Sequence, residues 1–141
     1  MSITIAETRD FATCLALRHT VFVKEQGVPV AEEQDAFDAV ATHLLAQDGS
    51  TPVGTARILF QGDVAKVGRV CVLQSARGTG LGADIIRAAI EIAQKTPGIA
   101  RVKLGAQIHA LGFYTKLGFQ AFGPIYDDAG IDHRDMVLEL A

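Results

Sequence analysis

The sequence predicts one α/β (α+β) domain in which a mixed, mostly antiparallel central sheet is flanked by helices. Two observations support this fold class. Three consecutive strand-like segments lie between residues 42 and 73, separated by the turn signals Asp48-Gly49-Ser50 and Gln61-Gly62-Asp63, which predicts an antiparallel meander. The third segment leads through a glycine-rich turn into an amphipathic helix and a further strand. That order predicts two parallel strands joined by a right-handed crossover.

The first half of the chain contains a strand, a helix and the meander. Ile3 and Ile5 alternate with polar residues over 2–7, which is typical of a half-buried strand. A helical stripe of apolar residues runs from Phe11 to about residue 25, and Gly27-Val28-Pro29 ends it. The meander strands are expected at 42–47, 52–60 and 64–73.

The second half begins with the longest predicted helix, residues 80–95. Its apolar positions recur at helical spacing until Thr96-Pro97-Gly98 stops it. The remaining pattern predicts a strand at 101–106, a short helix at 107–117, a strand at 119–125, a polar loop at 126–130 and a last strand at 134–140.

Composition restricts the class of protein. The chain has 141 residues, 49% of them hydrophobic, which suits a single domain spanning 1–141. Its net charge of −3, with no basic block, disfavours a nucleic-acid partner. No signal peptide or membrane-spanning run is visible, and Cys14 and Cys71 fit buried free thiols. We therefore expect a cytoplasmic protein with no membrane partner.

The glycine-rich turn is the first candidate site. The apolar run Val70-Cys71-Val72-Leu73 precedes residues 77–83, Arg77-Gly78-Thr79-Gly80-Leu81-Gly82-Ala83, which we call the glycine loop. A helix N-terminus presents unpartnered N–H groups and a positive dipole end, and glycines let a phosphate approach the backbone. The spacing fits neither Gly-x-Gly-x-x-Gly nor a Walker loop. The loop therefore indicates a phosphate or pyrophosphate ligand, the alternative being an ordinary strand-to-helix turn.

Several charged residues interrupt the apolar patterns. Arg18 and Glu25 lie near the apolar stripe of the first helix, which suggests either ion pairs or ligand contacts. The acidic run 32–38 suggests either a solvated surface or an acidic rim that attracts an amine. His43, Arg57 and Arg69 are the polar exceptions of the meander, and a lone strand histidine is more often structural than catalytic.

Two motifs together resemble the GNAT superfamily of acyl-CoA-dependent N-acetyltransferases. The glycine loop fits the pattern Arg-x-x-Gly-x-Gly of its pyrophosphate loop. The family's second signature, in the helix after the fifth strand, is matched by Ala110, Phe113, Tyr114, Gly118 and Phe119. Residues 17–29 and 130–133, with Glu33, Asp35, Asp38 and His43, are similar to the ElaA-like subgroup, so that the resemblance covers nearly the whole chain.

The resemblance implies a GNAT fold with parallel strands splayed at the CoA site, acetyl-CoA as co-substrate and no metal. It implies direct transfer of the acetyl group to a primary amine of a small molecule or peptide. Backbone groups of Val70, Cys71 and Val72 would polarise the thioester, the glycine loop would hold the pyrophosphate, and Tyr114 would be the general acid. Gln107 is at or near the position where many GNAT proteins have an Asn that contacts the pantetheine arm, and Gln can form similar hydrogen bonds.

The base and the acceptor stay open at this stage. His43 is the first candidate base, with His133 and Glu33 as alternatives that could also contact substrate. A non-catalytic acyl-CoA sensor and an interaction module are the competing functions, and a homodimer through an open sheet edge is compatible with the fold.

Overall fold

The computed structural model describes residues 2–140, and its seven strands form one mixed sheet in the order β1-β2-β3-β4-β5-β7-β6. The strands are β1 Ile3–Thr8, β2 Thr42–Asp48, β3 Thr51–Gln61, β4 Val64–Val72, β5 Arg101–Gln107, β6 Gln120–Asp128 and β7 Ile131–Glu139. Every neighbouring pair is antiparallel except β4 and β5. The predicted meander and parallel crossover are confirmed. Residues 1 and 141 of the expected domain lie outside the described part.

The helices cover both faces of the sheet. They are α1 Phe11–Arg18, α2 Val30–Glu33, α3 Leu81–Lys95 and α4 Leu111–Lys116, with a π-helix at His19–Glu25 and 3-10 turns at Ala36–Ala39, Gln74–Ala76 and Ile108–Ala110. Across residues 2–140, the structure contains no helix with the length and apolar character needed to cross a membrane.

The main core lies between α3 and the sheet. The buried side of α3 consists of Leu81, Ile85, Ile86, Ala89 and Ala93. The close approach depends on Gly54 of β3, where an added Cβ would lie 2.8 Å from Ile85 Cδ1 and 3.0 Å from the Cys71 carbonyl oxygen. On the opposite face, a smaller core joins α1 and the π-helix to β2 and β4, with Cys14, Leu17, Val21, Leu45 and Cys71 as its members.

Three predicted elements have different bounds in the structure. The first helix changes to π geometry after Arg18, with the Gln26 N–H bonded to the Val21 carbonyl. The helix expected at 107–117 starts later, because Gln107 still pairs with β7. The loop expected at 126–130 is wrong: β6 and β7 extend to a two-residue turn, Ala129-Gly130, with φ values of +54° and +81°. Such turns usually carry Asn-Gly or Asp-Gly, so that the sequence signal was absent.

Candidate active site

The parallel strands β4 and β5 separate halfway along their length. They pair from Val64 opposite Arg101 to Val67 opposite Leu104, and no pairing between them continues beyond that point within residues 2–140. On its other side β4 contains a bulge, because Arg57 faces Gly68 while Thr55 faces Cys71. Two residues therefore oppose one. The separation leaves the β5-facing backbone of the second half of β4 without a ladder partner.

The bulge holds a non-glycine residue in left-handed geometry. Arg69 has φ of +52°, a conformation that costs about 1–2 kcal/mol for a side chain with a Cβ. Its guanidinium compensates by donating to the Glu33 carbonyl from Nε at 3.0 Å and from Nη2 at 2.9 Å. The bulge is therefore fixed by α2, a segment far away in sequence.

A cleft of about 350 Å³ opens where the two strands separate. We call it the central cleft. Its lining includes five of the candidate site residues, namely Glu33, Val70, Gln107, Tyr114 and His133. Gln107 bonds across the cleft mouth to the Gln26 side chain at 2.9 Å and also contacts His109 Nε2 at 3.0 Å. The structure thus brings residues from β4, β5, β7, α2 and α4 to one place.

The glycine loop lies beyond the end of β4 and leads into α3. Gly78 and Gly80 have φ values of +77° and +86°, and an added Cβ at either would meet no atom within 4 Å. The N–H groups of residues 81–83, in the first turn of α3, have no hydrogen-bond partner within residues 2–140. Open space beside unpartnered donors at a helix N-terminus fits a diphosphate group.

Arg77 and Thr79 stabilise the loop from inside. Arg77 donates from Nε to the Val72 carbonyl at 3.0 Å and from Nη2 to Glu25 at 2.7 Å. Thr79 Oγ1 donates to the Ala76 carbonyl at 2.6 Å. Of the two alternatives for Glu25, the structure shows the ion pair. The guanidinium of Arg77 therefore stabilises the glycine loop through contacts with protein groups.

Tyr114 reaches the central cleft from α4. Its ring packs edge-on against Phe113 and Phe119, with centroid distances of 5.0 and 5.9 Å. Burial raises the pKa of the Tyr114 hydroxyl to about 12. The hydroxyl is therefore protonated at neutral pH and can donate a hydrogen bond or a proton.

His133 lines the central cleft from β7. Its Nδ1 lies 2.7 Å from the Ile131 carbonyl, and because a carbonyl only accepts, Nδ1 carries the proton in the neutral ring. Nε2 is then a free acceptor, with no hydrogen-bond partner within residues 2–140. The ring stacks on Tyr126 at 5.9 Å, and the Tyr126 hydroxyl donates to Asp135 at 2.8 Å. An added Cβ at Gly105 would overlap that hydroxyl, so that glycine is required beneath it.

His43 is buried and does not belong to the lining of the central cleft. Its Nε2 lies 2.9 Å from the Asp38 carbonyl, and its ring packs on Phe11. Arg57, its cross-strand neighbour, lines the cleft instead. His43 Nδ1 and Arg57 Nε are both buried without a hydrogen-bond partner in the described chain. The position of His43 therefore does not support it as the candidate base.

Three of the four acids in the acidic run are bound by arginines, and the fourth, Glu32, is exposed. Residues Glu33, Asp35 and Asp38 bind the guanidinium groups of Arg18, Arg57 and Arg69 in one charge network. The side chains of Arg18 and Glu33 are 1% and 3% exposed. These three acids are balanced by three arginines, so that Glu33, Asp35 and Asp38 do not form the amine-attracting rim that was one of the two alternatives for the run. Glu33 lines the cleft, yet both its oxygens accept from Arg18, at 2.8 and 2.7 Å.

Cys71 contributes backbone and packing. Its side chain is 5% exposed, and burial raises the pKa of its thiol to about 12. A thiol of this kind stays protonated and is not a nucleophile at neutral pH. Within residues 2–140 no group of three or more His, Cys, Asp or Glu side chains is arranged to hold a metal ion.

A bulged β4 that separates from a parallel β5, beside a glycine loop at a helix N-terminus, defines the class of acyl-CoA-dependent acyltransferases. The chain matches the acetyltransferase (GNAT) domain family over residues 10–140 and belongs to that family. It is 32% identical to the protein ElaA of Escherichia coli over 130 residues, covering 89% of this chain and 85% of ElaA.

Solved structures agree with this assignment. The crystal structure of Escherichia coli ElaA superposes with a TM-score of 0.87 at 28% identity, covering 98% of this chain and all of the other. An acyl-CoA N-acyltransferase from Pseudomonas aeruginosa gives 0.85 at 30% identity, covering 97% and 98%. A Bacillus subtilis acetyltransferase solved in complex with CoA shares the fold, with a TM-score of 0.75, 19% identity and coverage of 99% and 100%.

Proposed function

We propose that the protein is an acetyl-CoA-dependent N-acetyltransferase that transfers the acetyl group directly to a primary amine of a small molecule or peptide. The observation that supports this best is the central cleft at the point where β4 and β5 separate. Val70, Gln107, Tyr114 and His133 line it, and the glycine loop lies beyond the end of β4, after the 3-10 turn at Gln74–Ala76.

Acetyl-CoA supplies an activated acetyl thioester when bound. The glycine loop binds its pyrophosphate through N–H groups at the start of α3, and the open space at Gly78 and Gly80 accommodates it. Gln107 contacts the pantetheine arm with its side-chain amide. The Bacillus subtilis acetyltransferase with bound CoA supports this cofactor by its shared fold.

Residues 70–72 and Tyr114 act on the reacting atoms. The unpaired side of β4 offers backbone N–H groups to the thioester carbonyl oxygen, where negative charge develops. Tyr114 donates its proton to the departing sulfur. The raised pKa of the Tyr114 hydroxyl keeps the donating form present at neutral pH.

His133 is our proposed general base for the incoming amine. The hydrogen bond between its Nδ1 and the Ile131 carbonyl leaves the Nε2 lone pair available in the central cleft. Glu33 is less suited to this role, because Arg18 and Arg69 occupy its carboxylate. His43 is less suited because it does not line the cleft.

Calorimetry with CoA and acetyl-CoA, followed by a thiol-release assay over a panel of primary amines, tests the proposal. We expect micromolar binding and release of free CoA with at least one amine. Binding without release by any amine would favour a non-catalytic acyl-CoA sensor. No binding would overturn the assignment of the glycine loop and the mechanism with it.

A further inference from the structure

Two lysines lie side by side in the middle of the sheet. Lys66 of β4 is directly opposite Lys103 of β5 in the short stretch where these strands pair. Opposed residues in a sheet project to the same face, and like charges placed so are destabilising. Both strands are central, so that neither lysine protects an exposed sheet edge.

Neither lysine has an acidic partner. Within residues 2–140 no carboxylate oxygen lies within 4.0 Å of either ammonium group, and Lys103 Nζ lies 5.5 Å from the centre of the Phe122 ring. The next cation along β5 is different: Arg101 is paired with Asp63 at 2.6 Å and with Glu139 at 3.2 Å. The fold therefore neutralises the arginine and leaves the two lysines unbalanced.

The lysine pair adjoins the central cleft. Lys66 lines it, together with Gly68 and Gly105, the glycines that follow the lysines by two residues on each strand. An added Cβ at Gly68 would meet nothing within 4 Å, which marks open space above the sheet. Arg57, opposite Gly68, lines the same space and has a buried Nε–H without a partner in the described chain.

The acidic residues that line the cleft do not neutralise the positive charge of Lys66 and Lys103. Glu33 is bound by Arg18 and Arg69. Glu32 and Asp128 also line the cleft, but neither forms an ion pair with Lys66 or Lys103 within residues 2–140. Lys66 and Arg57 therefore line the same cavity as Tyr114 and His133, and Lys103 lies beside Lys66 on that face of the sheet.

We propose that Lys66 and Lys103 bind a carboxylate of the acceptor, so that the substrate is a primary amine carrying a carboxylate several bonds away. This inference rests on the proposed function, because it places the amine beside Val70. At about 3.3 Å per residue, Lys66 precedes Val70 by at most roughly 13 Å along β4. The bulge at Arg69 and the flexible lysine side chain shorten this gap. A carboxylate has two oxygens and can accept from both lysines.

The test uses two matched amides that need no catalysis. N-acetyl-ε-aminocaproate carries a terminal carboxylate, and N-hexylacetamide has the same length with a methyl group instead. We expect calorimetry to give at least roughly tenfold tighter binding for the acid at low salt, with a preference that weakens as ionic strength rises. The Lys66→Gln/Lys103→Gln double variant is expected to lose the preference, while Lys95→Gln, which removes a lysine paired with Glu91, keeps it.

Equal binding of the two amides, or no measurable binding of the acid, would overturn the proposal, as would a preference that survives in the double variant. Thermal unfolding serves as the folding control, and removal of the opposed charges should leave the midpoint unchanged or raised. The carboxylate site and the proposed function can fail independently. A preference for the acid without thiol release would support the carboxylate site and contradict the acetyltransferase activity. Thiol release at equal rates with charged and uncharged acceptors would support the activity and contradict the carboxylate site.

Discussion

Replacement of Arg18 by methionine should destabilise the protein more than any exposed charge removal. The Arg18 guanidinium, 1% exposed, donates to Glu33 at 2.8 and 2.7 Å and to Asp38 at 2.8 Å. Methionine fills much of the volume but leaves two buried carboxylates short of donors, and removal of one partner of a buried pair costs about 3–5 kcal/mol. Arg57 and Arg69 still reach these carboxylates, so we expect about 3 kcal/mol.

Urea unfolding measures this change directly. With a slope of about 1–3 kcal/mol/M for a domain of this size, Arg18→Met should lower the midpoint by at least about 1 M. Arg87→Met is the matched control, because its ion pair with Asp84 is 63% and 57% exposed and should contribute less than about 0.5 kcal/mol. A midpoint shift no larger than that of the control would refute the view that the charge network stabilises the fold.

The decrease in the free energy of unfolding at low pH is a second measure of the same charge network. Burial tends to raise the pKa of Asp38, but hydrogen bonds from Arg18 and Arg57 outweigh it and lower that pKa to about 2. A depressed folded-state pKa adds stability above the unfolded value near 4, and the stability is lost as pH falls toward 2. The change is about 2 kcal/mol at 1.36 kcal/mol per pKa unit, and Arg18→Met should reduce it.

Three further predictions concern catalysis. Tyr114→Phe should lower kcat roughly a hundredfold with unchanged acetyl-CoA affinity, and equal kcat would remove its acid role. Gly80→Asp should weaken CoA binding at least roughly tenfold by calorimetry, because it sets a carboxylate beside the pyrophosphate. Gly62→Asp, at a β3–β4 turn residue with a similarly positive φ of +60°, is its control, and equal losses in both would contradict the loop assignment. His133→Asn should flatten the pH dependence of kcat/KM, whereas His43→Asn should keep it; the opposite pattern would return the base to His43.

Local patterns made the sheet and the glycine loop predictable. Strand alternation, turn residues and the α3 stripe are all signals within a few residues of each other. They identified the meander, the crossover and the helix that follows Gly80. Tyr114 was predicted as a site residue from the family resemblance and not from a local pattern. Its place in the lining of the cleft is compatible with that prediction.

The parts that escaped prediction depend on distant partners. Arg18 binds Glu33 and Asp38, which lie 15 and 20 residues away, so no local pattern distinguishes them from surface charges. The left-handed Arg69 exists because α2 anchors it. The free Nε2 of His133 follows from the hydrogen bond between its Nδ1 and the Ile131 carbonyl, and the sequence assigned residues 131–133 to no element. The Lys66–Lys103 pair needs the exact register of the crossover.

The charge network also affects how this active site can change. Residues 30–39 contain one short helix and one 3-10 turn. Glu33 and its neighbours are held by arginines from α1, β3 and β4, and such contacts preorganise this wall of the cleft. Glu33 consequently lines the cleft and stabilises the fold with the same carboxylate, and a substitution that reshaped the cleft there would require a compensating substitution at Arg18 or Arg69.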